Sequence, residues 1–278
     1  MIKLALFGHP VTHSRSPEIH RHFGARAGIE LEYTAIDCPS GALAAALDAF
    51  QRGGGVGCNL TVPLKAEGLA LAASATPAAH DAGAANTLVW REDRWLADNT
   101  DGAGLLADLG RLGIAVHDRS VLILGAGGAV AGVLGPLLAA GVRRICLLNR
   151  SLERARALAV RFAGRGAEID VARPENGPAG ARFDLVIQAT SLGHRSAAPR
   201  LLADWLSDDA RAYDLNYGPA FVPFQRLCER LGIPVHPGTG MLIEQAALAF
   251  ERFTGIRPAT EALHRLAEGW DSGRRLTS

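Results

Sequence analysis

Two successive trains of strand-like and helix-like runs constrain this chain more than any other feature. In the first train, "IKLALFG" (2–8), "LEYTAIDC" (31–38), "VGCNLT" (56–61) and "ANTLVW" (85–90) read as strands, because such residues favour an extended, partly buried chain. Between them, "SPEIHRHFGARAG" (16–28), "GALAAALDAFQRG" (41–53) and "LKAEGLALAASA" (64–75) carry apolar residues at helical spacing. "TDGAGLLADLGRLG" (100–113) reads as a connecting helix, after which the second train begins. Its strands are "SVLILGA" (120–126), "RRICLLN" (143–149), "FDLVIQAT" (183–190) and "RAYDLNY" (211–217), with a weaker one at "IPVHP" (233–237). Its helices fall at 128–140, 151–164 and 223–231. This alternation implies mostly parallel sheets covered by helices, so the expected fold class is α/β with two α/β domains. Two final helical patterns, 240–254 and 260–270, have no strand after them and are expected to return to the first domain. The expected division is 1–102 plus 239–278 for one domain and 103–238 for the other.

Composition narrows the partners. Of the 278 residues, 48% are hydrophobic and 21% charged, enough for a substantial core. A net charge of +1 offers no sequence-wide basic field, so neither nucleic acid nor membrane is expected as a partner. Cys38, Cys58, Cys146 and Cys228 lie far apart, in or beside apolar runs. They read as reduced, buried thiols of a cytoplasmic protein. No metal-ligand cluster is expected: His20 and His22, two apart, suit opposite faces of a helix. "MIKLALFG" is too quickly polar for a signal peptide, and the apolar stretch 129–142 is interrupted by glycines and too short for a membrane span. The expected partner is a small molecule, bound by a monomer or homodimer.

"VLILGAGGAVAG" (121–132) is a strand, a glycine turn and a helix start. Gly125 and Gly127 allow a tight turn and close approach of backbone to a pyrophosphate, with the free N–H groups of the helix facing the anion. The third glycine of the usual fingerprint is replaced by Val130, and glycine turns also occur for purely structural reasons. The βαβ setting strengthens the nucleotide reading. Where an NAD site usually places a carboxylate after the second strand, this chain has "NRSLER" (149–154). Arg150 and Arg154 match a 2′-phosphate, so NADP is the expected cofactor. The alternative, a basic first helical turn without a ligand, runs against the helix dipole.

In the first domain, polar residues gather where strands end. "GCNLTVPLK" (57–65) holds Asn59 and Thr61, stops at Pro63 and ends on Lys65. "HPVTHSRSPEIH" (9–20) presents Ser14 and Ser16; Ser16 before Pro17 also reads as a helix cap, which leaves Ser14 unexplained. Asn86 and Thr87 open a strand, and Asp101 stands at a helix start, where a carboxylate is favoured by the dipole in any case. A lysine such as Lys65 could equally be a solvated surface residue.

These stretches, "GHPVTHSRSP", "GCNLTVPLK", "GAANTL", "NTDG", "GAGGA", "NR…R", "ATSLG", "YDLNYGP" and "GTGMLIEQAALAF", span nearly the whole chain in order and closely resemble the shikimate dehydrogenase family. The resemblance implies an N-terminal substrate domain, a Rossmann-like NADP-binding domain, closing helices that return to the substrate domain, and reversible reduction of 3-dehydroshikimate to shikimate by NADPH. It makes Lys65 and Asp101 the catalytic pair. Ser14, Ser16 and Tyr217 would hold the substrate carboxylate, and Thr61, Asn86 and Gln245 the ring hydroxyls. Gly125, Ala126, Gly127, Gly128 and Ala129 would cradle the pyrophosphate. Asn149, Arg150, Ser151 and Arg154 would meet the adenosine end, with Leu215 and Gly238 bordering the nicotinamide. Asn59 is read instead as tying loops together. Gln188 stands where the family commonly has Asn, and Val222 where Thr is common. Two alternatives remain: a quinate/shikimate dehydrogenase with relaxed substrate or cofactor use, and a catalytically weak NADP-binding sensor.

Overall fold

The computed structural model describes residues 1–178 and 180–270. They form two compact units: Met1–Gly104 with Leu242–His264, and Leu105–Met241 with Arg265–Trp270. Arg265–Trp270, drawn with the first domain from sequence, clusters with the second unit.

The first unit carries β1 (Ile2–Gly8), β2 (Leu31–Asp37), β3 (Gly55–Leu60), β4 (Ser74–Ala75), β5 (Thr87–Arg91) and β6 (Arg94–Asp98) in the order β2-β1-β3-β5-β6-β4. Helices α1 (Ser16–Ala27), α2 (Leu43–Arg52), α3 (Lys65–Leu71) and α4 (Pro77–Ala82) connect them, and α5 (Asp101–Arg111) follows. Strand β1 is buried on both faces: Ala5 and Phe7 pack with Leu43, Cys58 and Leu60, while Leu4 and Leu6 pack with Tyr33, Ala249 and Phe253. Each large apolar side chain so buried contributes about 1.5–3 kcal/mol, which is why β1 lies in the sheet's interior. Its neighbours β2 and β3 run parallel to it.

The sheet is nevertheless mixed. β5 pairs antiparallel with β3 and with β6, a strand absent from the sequence reading. The β5–β6 turn is Glu92-Asp93, both residues with left-handed φ (50° and 58°). That conformation normally calls for Gly, Asn or Asp; Asp93 meets the preference, Glu92 does not, and without a glycine the turn carries only a weak sequence signature. Trp90 and Trp95, paired across the hairpin with ring centroids 5.1 Å apart, supply the cross-strand contact that holds it.

The second unit is wholly parallel: β7 (Ser120–Leu124), β8 (Arg144–Leu148), β9 (Glu168–Ala172), β10 (Phe183–Gln188), β11 (Leu206–Asp214) and β12 (Val235–His236), in the order β12-β11-β10-β7-β8-β9. Numbered within the unit, this is the 3-2-1-4-5-6 order of a doubly wound Rossmann sheet, with its switch point between β7 and β10. The edge strand β9 also escaped the sequence reading, because its charges and half-buried positions give no apolar run. Helices α6 (Gly128–Ala139), α7 (Leu152–Arg161) and α8 (Val222–Leu231) lie between strands. α6 is apolar on nearly every side, and Val130, Val133, Leu134 and Leu137 are fully buried against Val121, Ile123 and Ile145. Last come α9 (Thr239–Thr254) and α10 (Glu261–Ala267). From Leu242 to His264 the chain clusters with the first unit, which takes in most of α9 and the start of α10.

All four cysteines are free and buried. Burial raises the Cys58 thiol far above its ordinary range and pushes Cys146 and Cys228 up to about 12. Among the described residues, no helix is long and apolar enough to cross a membrane.

Candidate active site

The end of β3 is tied down by backbone. Thr61 N–H donates to Phe7 O (2.9 Å) and Leu64 N–H to Thr61 O (2.8 Å), which turns the chain into α3. A side chain on Gly8 would collide with the Thr61 methyl, so strand and turn meet closely. Lys65 is therefore the first residue of α3, where a cation is disfavoured by the helix dipole. The Asp101 carboxylate offsets this: Lys65 Nζ donates to Asp101 Oδ2 at 2.5 Å. Asp101 itself opens α5, the favourable end for an anion. The lysine side chain keeps 29% of its surface and the aspartate 13%, so the pair is sheltered yet reachable.

Asn86 is the hub around this pair. Its Nδ2 donates to Asp101 Oδ1 (2.8 Å), Thr100 Oγ1 (2.9 Å) and Gln245 Oε1 (3.2 Å), while its Oδ1 accepts Thr100 N–H (2.9 Å). Gln245 arrives from α9, which crosses α5 so tightly that a side chain on Gly104 would lie 2.7 Å from Gln245 N. Thr100 Oγ1 donates to Gln245 O (3.0 Å), and Asn99 Oδ1 accepts Asp101 N–H (3.1 Å). Thr100 and Asn99 were missed from sequence. Asn99, two residues before a helix-opening carboxylate, carried an Asx-turn signal that could have found it.

Asn59, expected to tie loops together, instead links strands: it lies in β3 and meets Tyr33 of β2 and Thr87 at the start of β5. It is buried, donates from Nδ2 to Asn86 O and Thr87 Oγ1 (both 3.1 Å), and accepts at Oδ1 from Tyr33 OH (2.8 Å).

The serines require a correction. Ser16 is not the cap of α1: that position is Arg15, which makes no side-chain cap bond, and Ser16 is already helical. Ser14 does the local work, its Oγ accepting Ser16 N–H at 3.2 Å and the Ser16 hydroxyl lying at the same distance. Ser14 Oγ also donates to Ser16 Oγ (3.2 Å), so the two hydroxyls form one local pair, and it is Ser14 that shares its oxygen with the backbone.

In the second unit, Gly125 follows β7 with φ 121°, and a Cβ there would press on Ala189 O at 3.2 Å. Only glycine combines that conformation with that approach. At Gly127 and Gly128 an added Cβ would meet nothing within 4 Å, and no side chain caps α6. The turn from Gly125 to Ala129 is therefore open, with helix N–H groups available to an anion. After β8, Asn149 Nδ2 donates to Ser151 O (2.9 Å), and Ser151 Oγ caps α7 by accepting Arg154 N–H (3.4 Å). Arg150 and Arg154 are exposed, and neither has an ion-pair partner among the described residues. Two guanidiniums at one helix start with no carboxylate bound to either fit a phosphate ester.

Gly238 is sterically required, since a Cβ would lie 2.6 Å from Leu215 O, and its N–H donates to Asn216 O (2.9 Å). Leu215 and Gly238 are thus neighbours. Tyr217 lies two residues beyond Leu215, just before the 3-10 turn Gly218–Ala220. Asn216 Nδ2 donates to Thr190 O (3.1 Å) and Asp214 Oδ1 (2.8 Å), joining the loops after β10 and β11. Burial pushes the Asp214 carboxyl up to about 7. Gln188 is fully buried and bonds the loop after its own strand, accepting Thr190 N–H (2.8 Å) and donating to Thr190 O (3.3 Å). Val222 is the first residue of α8.

A Rossmann sheet with an open glycine turn in one unit, and a sheltered lysine–carboxylate pair in the other, define a dinucleotide-dependent dehydrogenase. Residues 6–88 match the family model described as shikimate dehydrogenase substrate binding domain, 109–207 that of shikimate / quinate 5-dehydrogenase, and 238–268 that of the shikimate 5′-dehydrogenase C-terminal domain. The shikimate dehydrogenase (NADP(+)) of Methylibium petroleiphilum is 42% identical, the match covering 97% of this chain and 96% of that one. Among solved structures, an Ael1 enzyme from Pseudomonas putida superimposes with TM-score 0.89 at 38% identity, over 96% of this chain and 98% of that one. Shikimate 5-dehydrogenase of Thermus thermophilus, in complex with NADP(H) and shikimate, superimposes with TM-score 0.85 at 36% identity, over 96% and 99%. The chain belongs to the shikimate dehydrogenase family.

Proposed function

We propose that this chain is the NADP-dependent shikimate dehydrogenase that reversibly reduces 3-dehydroshikimate to shikimate in aromatic amino acid biosynthesis, acting in the cytoplasm. The observation that carries this is the Lys65–Asp101 pair at 2.5 Å, held within one hydrogen-bonded group with Asn86 and Gln245. NADPH, when bound, supplies the hydride that turns the ketone into an alcohol. The residues must place the substrate and handle the proton. Lys65, as an ammonium, donates a hydrogen bond to the carbonyl oxygen, stabilises the negative charge that grows there, and delivers the proton. Asp101 holds the ammonium and, once the ketone has become an alcohol, accepts from the new hydroxyl. Asn86, Gln245 and Thr61 bind ring hydroxyls; Ser14, Ser16 and Tyr217 bind the carboxylate. Arg150 and Arg154 grip the 2′-phosphate, Asn149 and Ser151 shape the loop that carries them, and Gly125 through Ala129 take the pyrophosphate. Leu215 and Gly238 border the nicotinamide.

The match of residues 109–207 to a shikimate / quinate description favours one second reading, a dual-substrate enzyme. A steady-state assay with shikimate and quinate, each with NADP+ and NAD+, decides between them. Shikimate with NADP+ is expected to have the highest kcat/KM. Comparable turnover of quinate would establish the dual-substrate reading, and no turnover with any pair would leave a binding protein.

The serines give a separable result. The carboxylate is remote from the reacting carbon, so Ser16→Ala should raise KM for shikimate about 5- to 150-fold, the equivalent of losing about 1–3 kcal/mol from a buried anion, with kcat less affected. Shikimate methyl ester should be insensitive to the change. Because Ser14 also accepts the Ser16 N–H, Ser14→Ala should in addition lower the melting temperature. A Ser16→Ala enzyme with unchanged KM would remove the serine from the substrate site.

A further inference from the structure

The side chains behind Asn86 form a one-way sequence of donors. Tyr33 OH donates to Asn59 Oδ1 (2.8 Å), Asn59 Nδ2 donates to Thr87 Oγ1 (3.1 Å), and Thr87 Oγ1 donates to Asn86 Oδ1 (2.9 Å). Asn86 Nδ2 then donates to Asp101 Oδ1 (2.8 Å), and Asp101 Oδ2 receives Lys65 Nζ. Every step lies in the first unit, and Tyr33, Asn59, Thr87 and Asn86 are all buried.

The direction of the sequence has a consequence. A primary amide offers an oxygen and an N–H2 of nearly equal shape, so packing alone does not choose which end of Asn86 faces Asp101. The Thr87 hydroxyl has one proton. Receiving an N–H from Asn59 turns that proton toward Asn86, so the atom it meets there must be an oxygen. Together with the Thr100 N–H, which donates to the same oxygen (2.9 Å), this turns the N–H2 end of Asn86 toward the carboxylate. The reverse orientation would set Asn86 Oδ1 against Asp101 Oδ1, two acceptors in a buried place, and would lose the bonds to Thr100 and Gln245. The head of the sequence is equally one-sided. Burial holds the Tyr33 phenol well above its ordinary value, so it stays a donor. His20 presents its ring face to Tyr33, the two rings stacked at 4.4 Å, so it meets the phenol through its face and not through a ring nitrogen.

We infer that Thr87 is a positioning residue for the reaction: its hydroxyl, oriented by Asn59, sets the amide of Asn86 so that Asp101 and Lys65 are held ready for proton transfer. The inference rests on the catalytic reading of Lys65 and Asp101 above. Thr87 touches neither substrate nor cofactor in that reading, so its effect passes through Asn86.

The test uses the full-length enzyme with Thr87→Val, which keeps the shape and removes the hydroxyl, and Thr87→Ser, which keeps the hydroxyl. Thr87→Val is expected to lower kcat about 10- to 100-fold, the range for a displaced catalytic group, with KM for NADP+ unchanged. Thr87→Ser should restore kcat to within about threefold, since the donor returns. Adding Thr87→Val to Asp101→Asn should cost little more than Asp101→Asn alone. Independently of activity, the side-chain N–H2 signals of Asn86 in 15N-correlated NMR should shift and exchange faster in Thr87→Val, but not in Thr87→Ser. A serine variant as poor as valine, additive losses, or unaltered Asn86 signals would overturn the role of Thr87. Normal kcat in Asp101→Asn would instead overturn the catalytic pair, and the Asn86 signals would still decide whether Thr87 orients the amide.

Discussion

Lys65→Met is expected to lower kcat by about 10²–10⁴, the range for lost general acid–base catalysis, while KM for shikimate changes far less. The asymmetry follows from the division of labour. Lys65 acts on the oxygen that changes charge, whereas most binding contacts come from Ser14, Ser16, Thr61, Asn86 and Gln245. Methionine keeps most of the side chain's length and apolar stem, so α3 retains its packing. The substitution also strips Asp101 Oδ2 of its partner, leaving a carboxylate that is 13% exposed. For that reason Asp101→Asn should lower kcat too, and the double variant should be little worse than the poorer single, because groups acting as one unit are strongly non-additive. NADP+ affinity should survive in all three, since the glycine turn and Arg150 belong to the second unit. Steady-state kinetics on the four-protein cycle, with cofactor titration as the folding control, measures this. Strictly additive losses, or near-normal kcat in Lys65→Met, would dismiss the pair.

The second large effect concerns cofactor choice. kcat/KM should favour NADP+ over NAD+ by at least about tenfold, and Arg150→Ala with Arg154→Ala should abolish most of that preference by weakening NADP+ alone. A hydrogen bond to a charged group contributes about 1.5–3 kcal/mol, and about 1.4 kcal/mol is a factor of ten. Both arginines are exposed, so solvent screening places each bond at the lower end of that range and makes the tenfold figure a cautious one. Neither guanidinium surrenders an ion pair with a described residue to bind a phosphate, so no such contact is lost on binding. Added salt should shrink the preference, because exposed charges are screened within about 8–10 Å at physiological ionic strength. Equal losses with both cofactors would mean the arginines stabilise α7 rather than select the nucleotide.

Much of this arrangement was legible in the residues. "VLILGAGGAVAG" specified a strand, a left-handed glycine and a helix start because those are backbone requirements, met within a dozen positions. In the second unit the strands other than the edge strand β9 followed from apolar runs, since a parallel strand buried on both faces has to be a continuous apolar run. Lys65 stood out where a strand runs out and Asp101 at a helix start, within an ordered set of motifs that is very specific. What local sequence could not supply was direction and partnership. The Glu92-Asp93 turn reverses the chain without a glycine and with only Asp93 to suggest a left-handed φ, so the antiparallel hairpin became clear only with the packing of Trp90 on Trp95. At the start of α1 it is the Ser14 hydroxyl that accepts the open Ser16 N–H, while the cap position falls on Arg15, because backbone angles, not residue type, decide which group faces that N–H. The contacts among Asn59, Thr87, Asn86, Asp101 and Gln245 join residues up to 159 positions apart. Hydrogen bonds between such distant side chains leave no periodic or local trace. The chain by itself determined which chemical groups are present and which elements carry them. Only the tertiary structure decided which of those groups meet and which end of each amide faces the carboxylate, because both depend on how separate elements pack and on the one-way geometry of donors and acceptors.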